Sequence, residues 1–281
     1  MNETDSAPTP HELLDRFRTR RNEAVQAPFG SLALVNTQWI TGDPARGQQV
    51  WGVPGLWSPR QPGESGVLVA AAASDNIVVD GVVVDGTVIV RGKDDPSPSS
   101  VVFSESVSGF VIANESGEYG LRVWDSRSEA MMNFGSIDAF EYNPEWVIQA
   151  RFTPIEGGKT VGFEHLKDEG VTRDIVIPGE ITFEKDGISY SLAAFQSGRA
   201  LQLVFADATS GDSTYSVGRF LFVAPTPDNT VTLDFNYAVL PLCAFSYSFN
   251  CPMPPAQNRF RVAIEAGEKN VLNSAGELLH A

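Results

Sequence analysis

The sequence predicts a mainly β protein, built as an antiparallel β-sandwich or barrel-like sheets with one N-terminal amphipathic helix. Short runs of β-branched and aromatic residues recur from residue 31 to the C-terminus, and Gly, Pro, Asn or Asp separate them. No long helical periodicity follows the N-terminal helix, so alternating βαβ units and a doubly wound parallel sheet are not expected.

The N-terminal helix is predicted from its starting residues and its apolar spacing. Thr9 is typical of an N-cap, Pro10 of the first helical position and Glu12 of an acidic first turn. The apolar stripe that follows is narrow: Leu13, Leu14, Phe17 and Val25. We interpret the arginines beside this stripe as a solvated face of a packing helix, with an anion site as the alternative.

Ten short apolar segments are predicted as strands. They are residues 32–40, 82–92, 109–114, 119–125, 146–152, 173–178, 201–206, 215–223, 230–235 and 259–264. Asp186-Gly187 lies between two alternating runs and predicts a type I′ hairpin, because both positions tolerate positive φ. Asp80-Gly81 and Asp85-Gly86 predict further turns.

The domain organisation is predicted from composition along the chain. We expect a tail and helix over 1–30, an N-terminal β module over 31–155 and a C-terminal β module over 156–281. The break is placed near a joint rich in proline and glycine, and one continuous sandwich or barrel is the alternative.

The charge balance limits the partners. Lys and Arg total 20 against 35 for Asp and Glu, which gives a formal net charge of -15. An acidic surface repels nucleic acid and anionic membranes, so neither is an expected partner. The sequence starts without a cationic segment followed by an apolar run, and no apolar run reaches the length of a membrane span. We therefore expect a cytoplasmic protein.

The usual catalytic and metal-binding signatures are missing from the sequence. It has no nucleophile elbow, phosphate-binding loop or paired-histidine zinc motif. Of three histidines only His165 is internal and away from the termini, and we interpret it as an exposed loop residue. Cys243 and Cys251 are too far apart for a zinc knuckle and are predicted to be buried, reduced thiols. No metal site is predicted and no cofactor is assigned.

The strongest candidate site is in residues 205–223. A polar loop after Asp207 precedes a predicted strand, on which Tyr215 and Arg219 share the face opposite Phe220 and Phe222. If the phenylalanines face the core, Tyr215 and Arg219 could hold a carboxylate or phosphate from the outer surface. The alternative is structural: Arg219 pairs with Asp207 or Asp234 and ties strands together.

Several segments of the sequence resemble the bacterial and archaeal proteins grouped as domain of unknown function 1684. The segments are GLRVWD at 120–125, RFTP at 151–154, FADATSGDSTYSVGRFL at 205–221, LDFNYAVLPLCAF at 233–245, CPMPP at 251–255 and NRFRVAIEAGEK at 258–269. The resemblance implies a cytosolic, β-rich protein and brings no established reaction. The residues it carries over are Arg122, Arg151, Asp207, Thr209, Ser210, Gly211, Thr214, Tyr215, Gly218, Arg219, Asp234, Asn236, Cys243, Cys251, Asn258 and Arg259. In the resembling proteins, LDFN is commonly followed by an arginine and an Asn-Pro-Pro run before the cysteine. Residues 237–242 of this sequence read YAVLPL and depart from that pattern.

Three functions remain open at this point. The first is a binding module for a small polar or anionic ligand, with Tyr215, Arg219, Asn236, Asn258, Arg259 and Arg151 as ligand-binding residues. The second is a hydrolase that uses Asp207 or Asp234 as base or metal ligand, with Arg219 stabilising negative charge and with or without a divalent metal. The third is a structural or regulatory protein whose acidic surface is a partner interface.

Overall fold

The computed structural model describes residues 7–61, 63–114 and 116–280. Strands account for 44% of the protein and helices for 14%, which confirms the mainly β prediction. The chain divides into two compact units. The C-terminal unit consists of the chain up to Glu23, Phe134–Phe245 and the chain from Asn250 onward, and the N-terminal unit consists of Ala24–Asn133 and Ser246–Phe249.

The N-terminal helix, α1, spans Pro10–Val25 as predicted. Thr9 and Glu12 form a reciprocal cap: the Glu12 amide donates to Thr9 Oγ1 over 3.3 Å, and the Thr9 amide donates to Glu12 Oε2 over 2.7 Å. On the arginine face, Arg18 donates to the carbonyl of Phe140. This face is therefore partly bonded within the C-terminal unit rather than wholly solvated.

The N-terminal unit contains two antiparallel sheets and a short helix. Its strands are β1 (Leu34–Trp39), β2 (Leu56–Pro59), β3 (Val67–Ala71), β4 (Val78–Val79), β5 (Val82–Val83), β6 (Gly86–Val90), β7 (Val101–Val102), β8 (Val107–Ala113) and β9 (Tyr119–Asp125), with α2 at Glu129–Asn133. One sheet has the order β1-β9-β8-β7-β4-β5 and the other β2-β3-β6. Buried valines from both sheets surround Trp57, which has no solvent exposure.

The C-terminal unit is built on a six-stranded antiparallel sheet that curves almost into a barrel. Its strands are β10 (Phe134–Ala139), β11 (Val147–Glu164), β12 (Thr172–Lys185), β13 (Ile188–Ser197), β14 (Ala200–Phe205), β15 (Arg219–Val223), β16 (Thr230–Asp234) and β17 (Glu268–Asn273). The large sheet has the order β15-β14-β13-β12-β11-β16, and β10 pairs with β17. Alternate side chains of the sheet fill its interior, so buried residues recur at every second position in parts of β11 and β12.

The hairpin at Asp186-Gly187 has the predicted turn. Asp186 has φ +53° and Gly187 has φ +73°, and Lys185 pairs with Ile188 across the turn. Both positions have the positive φ that a type I′ turn requires. The predicted strand at 173–178 and the alternating run that precedes Asp186 form one continuous strand, β12.

Two predicted strands are corrected by the structure. Residue 155, where the sequence places a domain break, lies inside β11, and the chain passes between the two compact units at 23/24, 133/134, 245/246 and 249/250. The predicted strand at 215–223 begins only at Arg219, because 215–218 forms a turn. The segment 259–264 is not a strand; the backbone N–H and carbonyl of Ile264 bond to side chains, which removes them from any ladder.

Among the helices of the described residues, none has both the length and the apolar character needed to cross a membrane.

Candidate functional site

Arg219 starts β15, and its side chain points into the protein rather than away from it. The residue has no solvent exposure, whereas Phe222 is 48% exposed. The expectation that Arg219 lies on an outer surface opposite Phe222 is therefore wrong. The reason is the choice of the core face: Leu221 and Val223, on the same side of β15 as Arg219, belong to the core, and Phe222 lies on the opposite side.

The guanidinium group of Arg219 bonds to four acceptors. Its Nη2 donates to Asp207 Oδ2 over 2.8 Å and to the Ile264 carbonyl over 2.9 Å. Its Nη1 donates to the carbonyls of Ala266 and Glu268. Burial lowers the pKa of Arg219 from its usual value, and the Asp207 carboxylate opposes this change. The arginine thus fixes the segment before β17 to the start of β15.

The Asp207 carboxylate is saturated by neighbours. Its Oδ1 accepts from the amide of Thr209 over 3.2 Å, from Thr209 Oγ1 over 2.6 Å and from Ser210 Oγ over 3.2 Å. Its Oδ2 accepts from Arg219 and from the Ile264 amide, the latter over 2.7 Å. A carboxylate has about four lone-pair positions, so no acceptor capacity remains for a substrate or metal. The structural alternative, in which Arg219 pairs with Asp207, is confirmed.

A second buried ion pair, which the sequence did not predict, lies beside the first. Glu268 accepts from Arg21 Nε over 2.9 Å and from the amide of Leu240 over 2.7 Å, and its side chain is 5% exposed. Burial raises the pKa of Glu268, and the charge of Arg21 opposes that rise. Arg21 and Glu268 are separated by 247 positions, so no local pattern could have indicated their pairing.

Asp234 and Asn236 form a local cap rather than a partner for Arg219. Asp234 Oδ1 accepts from the amide of Asn236 over 3.0 Å and from its Nδ2 over 2.8 Å. The Asn236 side chain also bonds both backbone groups of Asn143, over 2.7 and 2.9 Å. These two residues therefore fasten the end of β16 to the start of β11.

Asn258 is a buried anchor for the segment that follows it. Its side chain accepts from the Ala193 amide over 2.9 Å and donates to the carbonyls of Ala193 and Val204, each over 2.8 Å. It thereby bridges β13 and β14 with no solvent exposure. Arg259, the next residue, is exposed.

The two remaining candidates lie elsewhere on the C-terminal unit. Tyr215 is half-buried and its hydroxyl donates to the carbonyl of Cys243 over 3.2 Å. Arg151 lies on the exposed side of β11, opposite its buried neighbour Phe152. The candidate set thus separates into an interior group that binds the fold together and surface groups at Arg151 and Arg259.

The prediction from the sequence is confirmed for the two cysteines and is wrong for His165. Cys243 and Cys251 are both buried and reduced, and the amide of Cys243 donates to Cys251 Sγ over 3.2 Å. The contact with Cys243, together with burial, raises the pKa of Cys251. The His165 side chain is only 11% exposed, so the prediction of an exposed loop histidine is wrong. Over residues 7–61, 63–114 and 116–280, no group of three or more His, Cys, Asp and Glu side chains is placed to hold a metal.

Comparison with known proteins gives a family and similar solved structures. A solution NMR structure of an uncharacterized protein from gene locus rrnAC0354 of Haloarcula marismortui is 31% identical in sequence. The match covers 48% of this chain and 77% of that one, with a TM-score of 0.40. A search of the curated proteins gives no match. The family model described as protein of unknown function (DUF1684) matches residues 132–269, which include the interior and surface groups described above, and the chain belongs to that family.

Proposed function

We propose that the C-terminal unit is a binding module for a small organic anion, which docks on Arg259 and Arg261. Both residues are exposed, and buried Phe260 lies between them. The Cα atoms of residues two positions apart lie at most about 7 Å apart, so both arginine side chains can reach one anion. Two guanidinium groups at that spacing suit the oxygens of a carboxylate or phosphate.

The observation that carries the proposal is that these two arginines have no carboxylate partner. Across the described part of the chain, neither forms an ion pair, although the protein has a net charge of -15. Among the residues that the structure describes, seven of the other thirteen arginines form an ion pair with an acid, including Arg21, Arg91, Arg173 and Arg219. Two adjacent unpaired cations repel each other, and an anion removes that repulsion.

The arginines are also held in place before any ligand arrives. Asn258 fixes the start of the segment through its three hydrogen bonds to β13 and β14. The ring of Phe260 packs 5.1 Å from that of Tyr190 and 6.0 Å from that of Phe205. The Phe260 amide donates to the carbonyl of Ala206 over 2.8 Å. A fixed backbone lowers the entropy lost on binding. Asn258 is therefore a positioning residue for Arg259.

The hydrolase alternative has less support from these positions. Asp207 and Arg219 satisfy each other inside the unit, and Asp234 bonds to Asn236. A general base must reach the proton that it removes, and the Asp207 carboxylate, without side-chain exposure or spare acceptor capacity, does not do so.

Thermal denaturation in the presence of anions tests the proposal. We expect at least one member of a panel of phosphate, sulfate and di- and tricarboxylates to raise the melting temperature of the wild-type protein. The double variant Arg259→Ala/Arg261→Ala should lose that increase. Arg199→Ala is the matched control, because Arg199 is an exposed arginine without an ion pair in the turn between β13 and β14. An increase that survives the double substitution, or no increase with any anion at low ionic strength, would refute the proposal.

A further inference from the structure

The N-terminal unit contains a cavity that the family motifs do not include, between the edge strand β1 and the segment that precedes β2. Its volume is about 490 Å³, within the size range of small-molecule sites. The lining residues carry no charge: Gln38, Gln49, Val50, Trp51, Gly52, Val53, Pro54 and Gly55. We call it the Trp51 cavity.

The walls of the Trp51 cavity are fixed by side-chain amides. Gln38 Nε2 donates to the Gln49 carbonyl over 2.9 Å, and the Trp51 amide donates to Gln38 Oε1 over 3.1 Å. Asn36 Nδ2 donates to the Trp51 carbonyl over 3.0 Å. The segment is thus fastened along β1 as if it were a further strand, with side chains in place of a backbone ladder. A ligand would meet a preformed surface.

Gly55 fixes the far end of the same segment. It has φ +87°, and a Cβ there would lie 2.9 Å from Ile77 Cδ1 and 3.0 Å from Val69 Cγ2. Only glycine allows this positive φ and this approach to the core together. The backbone at Gly55, one of the lining residues, therefore packs directly against Ile77 and Val69.

Two groups of the cavity remain available to a ligand. Trp51 is 68% exposed, which is unusual for the largest apolar side chain. Gln49 is exposed, and among the described residues its side-chain amide has no hydrogen-bond partner, in contrast to that of Gln38. An open indole face thus lies beside an amide that can donate and accept.

We propose that the Trp51 cavity binds a neutral carbohydrate. The C–H face of a sugar ring stacks on an indole, and its hydroxyl groups exchange hydrogen bonds with an amide and with backbone groups. A lining without charge gives no attraction for ions, so an uncharged, polyhydroxylated ligand suits it. This site is independent of Arg259 and Arg261.

Affinity electrophoresis tests the inference. The full-length protein is run in native gels that contain soluble α-glucan, mixed-linkage β-glucan, xylan or galactomannan, and in a gel without polysaccharide. We expect retardation in at least one polysaccharide gel. Isothermal titration with the matching oligosaccharide should then give a dissociation constant that rises about tenfold or more in Trp51→Ala and rises also in Gln49→Ala. Met132→Ala is the matched control, because Met132 is 73% exposed in the same unit and should leave binding unchanged.

Three results would overturn the inference. They are mobility unchanged in every polysaccharide gel, retardation that Trp51→Ala leaves intact, and a dimer in sedimentation velocity that Trp51→Ala dissolves while no sugar competes with it. The last result would identify a second copy of the chain as the occupant. Because Trp51 is exposed, Trp51→Ala should keep the wild-type melting temperature, so loss of binding can be separated from loss of fold.

Discussion

Arg219 Nη2 and Asp207 Oδ2 lie 2.8 Å apart, and neither side chain has any exposure to solvent. The two residues join the loop after β14 to the start of β15 and, through the Ile264 backbone, to the approach to β17. A buried ion pair in itself adds little net stability, because desolvation offsets the attraction. Removal of one partner, however, leaves the other charged and unpaired in the interior.

The first prediction concerns Arg219→Met. We expect the substitution to lower the free energy of unfolding by about 3 to 5 kcal/mol, because Asp207 keeps its burial and loses its cation. Urea denaturation followed by circular dichroism measures the change. Arg199→Met, at an exposed arginine, should change stability by less than about 0.5 kcal/mol. A loss below about 1 kcal/mol for Arg219→Met would show that the pair does not hold the segments together.

The second prediction concerns Gly218, which precedes Arg219. It has φ +102°, and a Cβ there would lie 2.3 Å from the carbonyl oxygen of Phe205. Backbone atoms cannot yield as a flexible side chain does, so Gly218→Ala should cost more than about 3 kcal/mol of unfolding free energy.

Gly198 provides the comparison for that substitution. It also has a positive φ, +60°, but nothing lies within 4 Å of its Cβ position. Gly198→Ala should cost about 1 to 2 kcal/mol, because only the positive φ opposes this substitution. Equal losses in the two variants, measured by thermal and urea unfolding, would mean that φ alone and not the contact with Phe205 determines the effect.

The sequence predicted those elements whose information is local. The α1 cap at Thr9, the turn at Asp186-Gly187 and strand β9 depend on neighbours within a few residues, and all were found as predicted. The burial of Arg219 was not predicted, because Phe220 and Phe222 were assigned to the core face, whereas the core is filled from the face of Leu221 and Val223.

The site depended on contacts between distant segments, which one sequence does not display. The position of Glu268 beside Arg21 and that of Asn258 between β13 and β14 result from the closure of the sheet. Polar residues that looked like ligand-binding groups were instead satisfying buried backbone groups. Such groups carry the same residue types as a binding site, and only the three-dimensional contacts distinguish the two.

The third prediction concerns Asn258→Ala. The substitution leaves the amide and carbonyl of Ala193 and the carbonyl of Val204 without their side-chain partner in the interior. We expect a loss of about 2 to 4 kcal/mol in unfolding free energy, since each unsatisfied buried group is costly. Asn270→Ala is not a suitable control, because the Asn270 side chain donates to the carbonyl of Ser213. The control is Gln257→Ala, at an exposed residue adjacent to Asn258, and it should cost far less. A similar small loss for both variants would contradict the anchoring role.

The fourth prediction concerns the pH dependence that Asp168 adds to stability. Its Oδ2 accepts from Arg173 Nε over 2.6 Å, its Oδ1 accepts from Arg173 Nη2 over 3.0 Å, and Asn250 donates to Oδ1 over 2.8 Å. These bonds, the one from Arg173 first, lower the pKa of Asp168 in the folded protein. The folded state therefore binds the proton of Asp168 less tightly than the unfolded state does. The stability that the Asp168 carboxylate adds is present above the unfolded pKa of about 3.9.

Asp168→Asn should accordingly destabilise the protein by about 1 to 2 kcal/mol at pH 7, where the charge-assisted bonds are intact. The difference between wild type and variant should shrink as pH falls below about 4 and through the lower folded pKa, because the wild-type carboxylate is then protonated as well. Urea midpoints measured from pH 7 to pH 3 follow this change. Asp174→Asn is the control, because Asp174 is an exposed acid of β12 that forms no ion pair with the described residues, and it should change stability by less than about 0.5 kcal/mol at pH 7. A wild-type advantage over Asp168→Asn that stayed constant down to pH 3 would show that the fork to Arg173 does not set the pKa of Asp168.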